Sequence, residues 1–477
     1  MTTVSVCTVA DYWRVFKQLV NTFHFPPPPI MRSRLRNFYT RLTDTLWFIP
    51  SMIALFMSAL AVVMVELSSL VDADALARFP RVFGASADSS RALLSAIAGA
   101  MITVAGLTFS LTMVAVTQAS TQYTPRILRN FMRDRGNQTV LGVYVGMFAY
   151  CILVVRTIRS GDDGQFIPAL AVVLGIALAI GSVGMLLFFV HHIANALQAS
   201  TIIHRITVET LVAVGRAFPA RRGEPLGNGT PDHADIGGIP ANAWQSVATR
   251  ATGYVQSVDN DGLLEIAESM NIVVRLVPAV GDFVIEGHPV AWVASSPVSG
   301  QGVRLAPSAQ RDVAGTLTIS SYRTVDQDAA FGIRQLVDIA LKALSPGIND
   351  TTTAITCIDH LGAILVSVVG RPDVSGTRAV RGIVRVIAPA PTFASLLALA
   401  FDEIRQSATT NVSALTRLLT TIATVASCPM EDERRAHLGD QIVRIAEAAR
   451  HVPLQFDRTR LLALVEETRT TLRSGPR

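Results

Sequence analysis

The stretch WFIPSMIALFMSALAVVMVELSSL, residues 47–70, decides the class of protein because it is long and apolar enough to cross a bilayer. A helix rises about 1.5 Å per residue, so a hydrocarbon core of about 30 Å needs about 20 apolar residues. Three further stretches share this character, and they are residues 92–118, residues 140–155 with their flanks, and residues 166–190. The sequence therefore predicts four membrane-spanning helices.

The composition agrees with a chain that lies largely in lipid. Half of the 477 residues are hydrophobic and only 16% are charged, and the mean hydropathy is +0.41. Soluble domains carry about 25% charged residues. The formal net charge of +5 comes from arginine, which in a membrane protein points to lipid headgroups. No nucleic-acid motif is present, so we predict the lipid bilayer as a partner and no nucleic acid.

The arginines predict how the chain is oriented. Four spans place both termini on one side of the membrane, and eight arginines lie in the segments of that side, namely Arg32, Arg34, Arg36, Arg41, Arg126, Arg129, Arg133 and Arg135. The opposite loops hold five, namely Arg78, Arg81, Arg91, Arg156 and Arg159. Because cytoplasmic loops are enriched in Lys and Arg, we expect a multi-pass protein of a bacterial inner membrane with both termini in the cytoplasm.

The hydrophobic period changes along the chain and predicts its organisation. Residues 1–43 read as a cytoplasmic N-terminal segment, 44–200 as a transmembrane domain with four helices, and 201–243 as a helical stalk and linker. Short β-branched runs between turn signals predict a small β-rich domain, a barrel or sandwich, over residues 244–325. Helical periodicity predicts a mainly helical cytoplasmic domain over 326–477. The predicted fold is thus a multi-pass α-helical membrane protein followed by a cytoplasmic α+β region.

One face of the second span is small and polar. At 100° per residue, six residues fall within about 60° of one another, and they are Gly99, Thr103, Gly106, Ser110, Thr117 and Thr121. Thr108 and Thr112 lie on the opposite side, where each hydroxyl can bond a carbonyl of its own helix. The face either lines a water-filled path through an oligomer or packs closely against another helix. Both interpretations stay open at the level of sequence.

Charged residues near the ends of the spans are further candidates. Glu66 and Arg156 both approach the outer boundary of the membrane and are predicted to form an intramembrane pair, although each can also reach the headgroups independently. Four arginines are predicted to surround the inner mouth or to bind anionic lipid, and they are Arg126, Arg129, Arg133 and Arg135.

A turn in the helical region offers a possible ligand site. In ALSPGINDTTTA, residues 343–354, Asn349 or Asp350 can cap the following helix. The alternative is a ligand or ion turn built from Asn349, Asp350 and Thr351 with help from Asp326 or Asp328.

We predict no metal and no cofactor for this chain. His191 and His192 are adjacent, point about 100° apart on a helix and have no third ligand nearby, so they are interpreted as interfacial residues. The four cysteines are scattered. Because no GxSxG, HExxH, Walker A or GxGxxG element is present, an enzyme is not predicted.

Several stretches together resemble one protein family. They are TFSLTMVAVTQASTQYTPRILRNFMRDRGNQ (residues 108–138), FVHHIANALQ (189–198), GDFVIEGHPVAWV (281–293) and RTVDQDAAFGIRQLVDIALKALSPGINDTTTA (323–354). The chain from about residue 40 onward is similar to the bacterial predicted membrane proteins grouped as domain of unknown function 2254. This resemblance implies a multi-pass membrane protein with a cytoplasmic C-terminal region, and it assigns no reaction.

These observations lead to two functional hypotheses. The first is an oligomeric bacterial inner-membrane ion channel or pore, in which the second span lines the pathway and the cytoplasmic region forms a vestibule or sensor. Its partners would be inorganic ions and further copies of the chain. The alternative is a membrane-anchored scaffold or sensor, whose spans only pack and whose cytoplasmic domain binds a partner or a small ligand.

Overall fold

The computed structural model describes residues 45, 47–70, 86–122, 134–159, 166–218, 239–295, 306–373, 376–380 and 382–474. The first five helices are α1 (Phe48–Leu70), α2 (Ala87–Gln122), α3 (Arg135–Thr157), α4 (Ala169–Ala196) and α5 (Ala199–Ala217). A mixed segment follows with β1 (Gln245–Ala248), β2 (Gly253–Val258), α6 (Asn260–Ser269), β3 (Ile272–Leu276), β4 (Phe283–Val284), β5 (Pro289–Ser295), α7 (Pro307–Gly315) and β6 (Leu317–Ser320). The last elements are α8 (Ala329–Ala343), α9 (Thr351–Val369), β7 (Thr377–Val380), β8 (Ile383–Ile387), α10 (Phe393–Ser407), α11 (Val412–Ala426), α12 (Asp432–Arg450) and α13 (Gln455–Ser474).

Helices α1 to α4 form the N-terminal bundle, in which α3 contacts the other three. Two glycines of α3 let α1 approach closely: a Cβ on Gly142 would lie 2.9 Å from Pro50 Cα, and one on Gly146 would lie 2.9 Å from Met57 Cγ. Small residues four apart are a common basis for close packing of membrane helices. The hydroxyl of Tyr144 donates to the Ser182 carbonyl of α4 at 2.9 Å, which satisfies a buried polar group.

The outer faces of the N-terminal bundle are apolar. Large side chains point away from the protein, among them Leu55 (68% exposed), Leu70 (79%), Ile180 (70%) and Leu187 (70%). A continuous apolar surface of this kind suits lipid and would be unfavourable in water. Within the residues that the structure describes, five helices are long and apolar enough to cross a membrane, and these are α1 to α4 and α9.

Helix α9 packs mainly against helices that lie outside the N-terminal bundle. It packs against α5, α8 and α11, and the buried residues along it include Ile358, Leu361 and Leu365. Helices α5 and α8 to α13 share this one hydrophobic core. Close contact within the core depends on Gly332 of α8, where a side chain would collide with Thr210 of α5.

The β-region contains two separate sheets that share one core. The five-stranded sheet has the order β1-β5-β3-β8-β7, and the three-stranded sheet has the order β4-β2-β6. Strand β8 pairs in parallel with β3, while the other neighbours pair antiparallel. Strands β7 and β8 come from residues 377–387, so the sheet draws on both sides of the predicted boundary at residue 325. The pairing of β8 with β3 depends on packing between residues far apart in the chain, so local sequence patterns do not predict it.

Candidate functional site

The small and polar face of α2 is exposed along its whole length. All six predicted residues are exposed, and they are Gly99, Thr103, Gly106, Ser110, Thr117 and Thr121. A Cβ added to Gly99 or Gly106 would meet nothing within 4 Å. No helix in the described part of the chain therefore covers this face.

The hydroxyl groups of α2 are satisfied in two ways. Buried Thr108 and Thr112 donate to carbonyls of their own helix at 2.9 and 2.8 Å, as expected from their position. On the exposed face, Thr103 donates to Gly99 O at 2.8 Å, and Thr117 and Thr121 also bond their own helix. Ser110 has no hydrogen bond to any described residue, so its hydroxyl can bond a group outside this chain.

A cavity of about 1090 Å³, the junction cavity, lies where the N-terminal bundle meets the rest of the chain. Its walls come from the start of α3, the end of α4, one face of α5, the segment 321–326 and the start of α8. Five arginines line it, namely Arg135, Arg205, Arg216, Arg323 and Arg334, against three carboxylates, namely Asp134, Glu209 and Asp326. Of these five arginines, only Arg135 is among the four that the sequence predicted for the inner mouth.

At the bundle side of the junction cavity, a side-chain hydrogen bond links α3 and α4. The Asp134 carboxylate caps α3 by accepting from Gly136 N at 2.8 Å, and it also accepts from His192 Nε2 at 3.0 Å. Arg205 of α5 lies 4.0 Å away. Gly136 is required here, since a Cβ would lie 2.7 Å from His192 Nε2. His192 is thus a structural link between helices.

One face of α5 forms a long wall of the junction cavity. Arg205, Val208, Val212 and Arg216 follow a helical period and all line it. Arg205 and Arg216 are three turns apart, which corresponds to about 16 Å. The guanidinium of Arg216 donates to the backbone carbonyl of Asp326 at 3.0 Å and makes no ion pair within the described residues.

A buried ion pair fixes the far side of the junction cavity. Arg323 donates to Asp328 Oδ2 at 2.9 and 2.7 Å, and Asp328 also caps α8 by accepting from Phe331 N at 2.9 Å. Burial raises the pKa of the Asp328 carboxyl, and the Arg323 guanidinium opposes that rise. Gly281, with φ +97°, leaves room for the pair, because a Cβ there would collide with both side chains.

Gln335 of α8 is a polar residue at the buried edge of the junction cavity. Its side chain is only 2% exposed, and its Oε1 atom has no hydrogen-bond partner among the described residues. Buried polar atoms are satisfied in most native structures, so this carboxamide is available to a bound molecule. Its neighbour Arg334 donates to Asp338 at 2.8 Å and also to Glu403. Sequence reasoning missed Gln335, since only the fold brings it to a cavity.

Glu66 and Arg156 line one common cavity of about 610 Å³ near the opposite end of the bundle. Both side chains are exposed, and they form no ion pair within 4 Å in the part of the chain described. Arg159 lines the same cavity. The structure thus brings the two residues together without a direct contact. Among the arginines predicted for the inner mouth, Arg126, Arg129 and Arg133 lie outside the described residues.

The turn at Asn349 to Thr351 serves to start α9. Asn349 has φ +48°, Asp350 accepts from Thr353 N at 3.0 Å and from the Thr353 hydroxyl at 2.5 Å, and Asn411 donates to Thr351 at 2.8 Å. The Thr353 bonds lower the pKa of Asp350. Asp326 and Asp328 do not assist, because α8 separates them from the turn by about 22 Å.

The described histidines and cysteines provide no metal centre. His191 is hydrogen-bonded to Asn195 at 2.8 Å, and the ring of His204 lies edge-on to that of His360 with centroids 6.2 Å apart. No group of three or more metal-binding side chains converges within the described ranges.

Several long apolar helices with outward-facing apolar surfaces define this molecule as a multi-pass α-helical membrane protein. Comparison with known families gives the same result: the family model described as predicted membrane protein (DUF2254) matches residues 43–424, and the chain belongs to that family. Uncharacterized proteins of Mycobacterium tuberculosis (strain H37Rv) and Mycobacterium bovis are each 32% identical over 457 residues, covering 93% of this chain and 84% of the relative. No solved structure gives a significant match.

Proposed function

We propose that this protein forms an oligomeric ion pathway in the bacterial inner membrane, with α2 lining the path. The observation that carries the proposal is the uncovered small and polar face of α2, which includes the unpaired hydroxyl of Ser110. Helix α2 has 36 residues and is about 54 Å long, so it exceeds the hydrocarbon thickness of about 30 Å. A single α2 cannot enclose a path, so several subunits must surround an axis.

The chemistry of the face supports contact with water. A hydroxyl in hydrocarbon without a hydrogen bond is unfavourable by several kcal/mol (about 2–7), which disfavours lipid around Ser110. Glycine exposes backbone carbonyls, and hydroxyl oxygens can replace part of the hydration shell of an ion. Gly99 and Gly106 alternate with Thr103 and Ser110 along the face, so an ion would meet oxygen atoms there. Val114, which is 63% exposed, is the one apolar interruption before Thr117 and Thr121.

The orientation belongs to the same proposal. Helices α1 to α4 span the membrane, both termini lie in the cytoplasm, and the β-region with the remaining helices forms a cytoplasmic vestibule or sensor. The packing of α9 against α5, α8 and α11 in the core of the later helices supports four spans, because α9 is not part of the N-terminal bundle.

Cysteine accessibility tests the proposal on one helix. Single cysteines at Thr103, Ser110 and Thr117 are introduced into a chain whose native cysteines are replaced, and the protein is reconstituted in liposomes. A charged thiol reagent that does not cross membranes should label these positions and reduce ion flux. Phe109 and Leu111, which are also exposed (44% and 40%) but lie about 100° to either side of Ser110, are matched controls that should resist labelling. Equal protection of all five positions would contradict the pathway.

A second function, a membrane-anchored scaffold or sensor, is favoured by a different observation, the junction cavity of about 1090 Å³. In this case the spans pack and the cytoplasmic part binds a partner or small ligand. Liposomes separate the two functions, since a sensor carries no ions at any pH or voltage and yet still responds to its ligand.

A further inference from the structure

We propose that the junction cavity binds a phosphate-bearing ligand, either a soluble organic phosphate or the headgroup of an anionic phospholipid. The inference does not depend on ion conduction, because it rests on the cavity alone and its test measures binding. Five arginines face three carboxylates in the lining, and guanidinium groups bind phosphate through several charge-assisted hydrogen bonds.

Two of the five arginines, Arg205 and Arg216, remain available to a ligand, whereas Arg135 is already engaged in another interaction. Arg323 is held by Asp328, and Arg334 is held by Asp338 and Glu403. By contrast, Arg216 bonds only the backbone carbonyl of Asp326, and Arg205 stands 4.0 Å from Asp134, which His192 already engages. The available positive charge therefore lies at the two ends of the α5 wall.

The space between these arginines suits an organic molecule. Val208 and Val212 lie between them on α5, and the rings of Tyr254, Tyr322 and Phe331 line the same cavity. A cavity of about 1090 Å³ is at the upper end of the range for small-molecule sites, about 300–1000 Å³, and far exceeds the needs of inorganic phosphate. The middle also holds the Glu209 carboxylate. Its valines and aromatic rings between basic ends fit a molecule whose phosphate group is attached to a larger body.

The unpartnered Oε1 of Gln335 is an independent observation that points to a ligand. Gln335 lines the cavity and is only 2% exposed, and its Oε1 has no hydrogen-bond partner among the described residues. A carboxamide can donate and accept, so it can recognise a ring or hydroxyl group of the ligand body. If the arginines only stabilised the fold, the unpartnered carboxamide of Gln335 would have no role in the cavity.

Because of the position of the junction cavity, a bound ligand would connect different parts of the protein. The lining joins Asp134 at the start of α3 and His192 near the end of α4 to Tyr254 of the β-region and Arg334 of α8. A ligand in the cavity therefore contacts the N-terminal bundle and the remaining domains at once, and it favours whichever arrangement of them it fits best.

Calorimetric titration of the full chain, purified in phosphate-free detergent solution, tests the site. The probes are ATP as an organic phosphate, dihexanoylphosphatidylglycerol below its micelle concentration as a headgroup, and sulfate at equal ionic strength as a reference anion. We expect saturable binding of ATP or of the lipid, and no comparable binding of sulfate. Binding of only one of the two probes identifies the source of the phosphate.

Variants assign the binding to the cavity. Arg205→Gln and Arg216→Gln should each weaken it by about tenfold, the loss expected for one charge-assisted hydrogen bond, and Gln335→Leu should weaken it without changing charge. Arg473→Gln, at an exposed position of α13, is the matched control and should bind normally. Because Arg216 is exposed, its variant should keep the melting temperature of the parent. Absence of saturable binding by both probes, or equal affinity of all four variants, would overturn the proposal.

Discussion

His192 near the end of α4 donates a hydrogen bond from Nε2 to Asp134, the residue that caps α3, and the nitrogen lies 3.0 Å from both carboxylate oxygens. The ring of His192 also stacks on Phe188 with centroids 5.4 Å apart. The pair therefore links two helices of the N-terminal bundle at the edge of the junction cavity.

Gly136→Ala should break this link. The new Cβ would lie 2.7 Å from His192 Nε2, so the imidazole must move and a charged hydrogen bond, about 1.5–3 kcal/mol, is lost. We expect a lower melting temperature in detergent. In a His192→Ala background the same change should cause a smaller loss, because the colliding ring is gone and only the close contact with Asp134 Oδ1 at 3.0 Å remains. Equal losses in both backgrounds would contradict this account.

Gly281→Ala should destabilise the protein more than Gly287→Ala. Both glycines have positive φ, +97° and +82°, so both changes strain the backbone by about 1–3 kcal/mol. Only at Gly281 would the Cβ also collide with Asp328 and Arg323, while Gly287 has nothing within 4 Å. Denaturant unfolding of the two variants measures the difference. If the two variants had similar free energies of unfolding, the Arg323 to Asp328 ion pair could shift to accommodate the new Cβ without a loss of stability.

The sequence predicted those parts of the fold that depend on local periodicity. Apolar length located α1 to α4, and the angles around α2 correctly separated buried Thr108 and Thr112 from the six exposed residues. Short β-branched runs indicated the strands. Each of these features is a property of neighbouring residues on one element, so a pattern of about two or four residues is enough to reveal it.

The sequence could not predict the junction cavity, because its walls combine residues from position 134 to position 335. Arg205 and Arg216 share a helical face, and that signal was present in the chain, but nothing local indicates that Gln335 lies beside them. The turn at Asn349 is a second example. Its role as a cap follows from the local pattern, whereas the fold decides that Asp328 lies at the other end of α8 and cannot assist it.

Removing the cap of α9 should destabilise the helical core modestly. Asp350→Ala removes the bonds to Thr353 and should lower the free energy of unfolding by about 1 kcal/mol, while Asp350→Asn, which can still cap, should retain most of it. The pKa of Asp350 is lowered in the folded protein, so its ionised form contributes stability above the unfolded pKa of about 3.9.

That contribution has a defined pH dependence. As the pH falls through the lowered pKa of folded Asp350, the carboxylate is protonated and the advantage of the parent over Asp350→Ala should shrink. Unfolding measured between about pH 7 and pH 3 tests this, since both values bracket the unfolded pKa. A difference that stays constant over this range would show that charge on Asp350 does not strengthen the cap.

Close packing of α1 on α3 should depend on Gly142. In Gly142→Ala, the Cβ would lie 2.9 Å from the backbone at Pro50 and 2.8 Å from Ile53 Cδ1, so α1 must move away and the melting temperature should fall. Gly184→Ala in α4 is the matched control, because nothing lies within 4 Å of its Cβ. If the melting temperature of Gly184→Ala fell by the same amount, the loss would be a general effect of replacing glycine in these helices and not a result of the contact between α1 and α3.

Opposite charges at Glu66 and Arg156 should be interchangeable, since the two residues line one cavity and no direct contact fixes their geometry. Glu66→Arg would place three guanidinium groups there, because Arg159 lines the same cavity, and Arg156→Glu would pair two carboxylates. Each single change should lower the melting temperature in nanodiscs, whereas the double change keeps one carboxylate and two guanidinium groups and should recover most of the loss. In detergent the coupling should stay below about 1 kcal/mol, as for other solvated pairs. A double variant no more stable than the weaker single one would show that each residue reaches the headgroups independently.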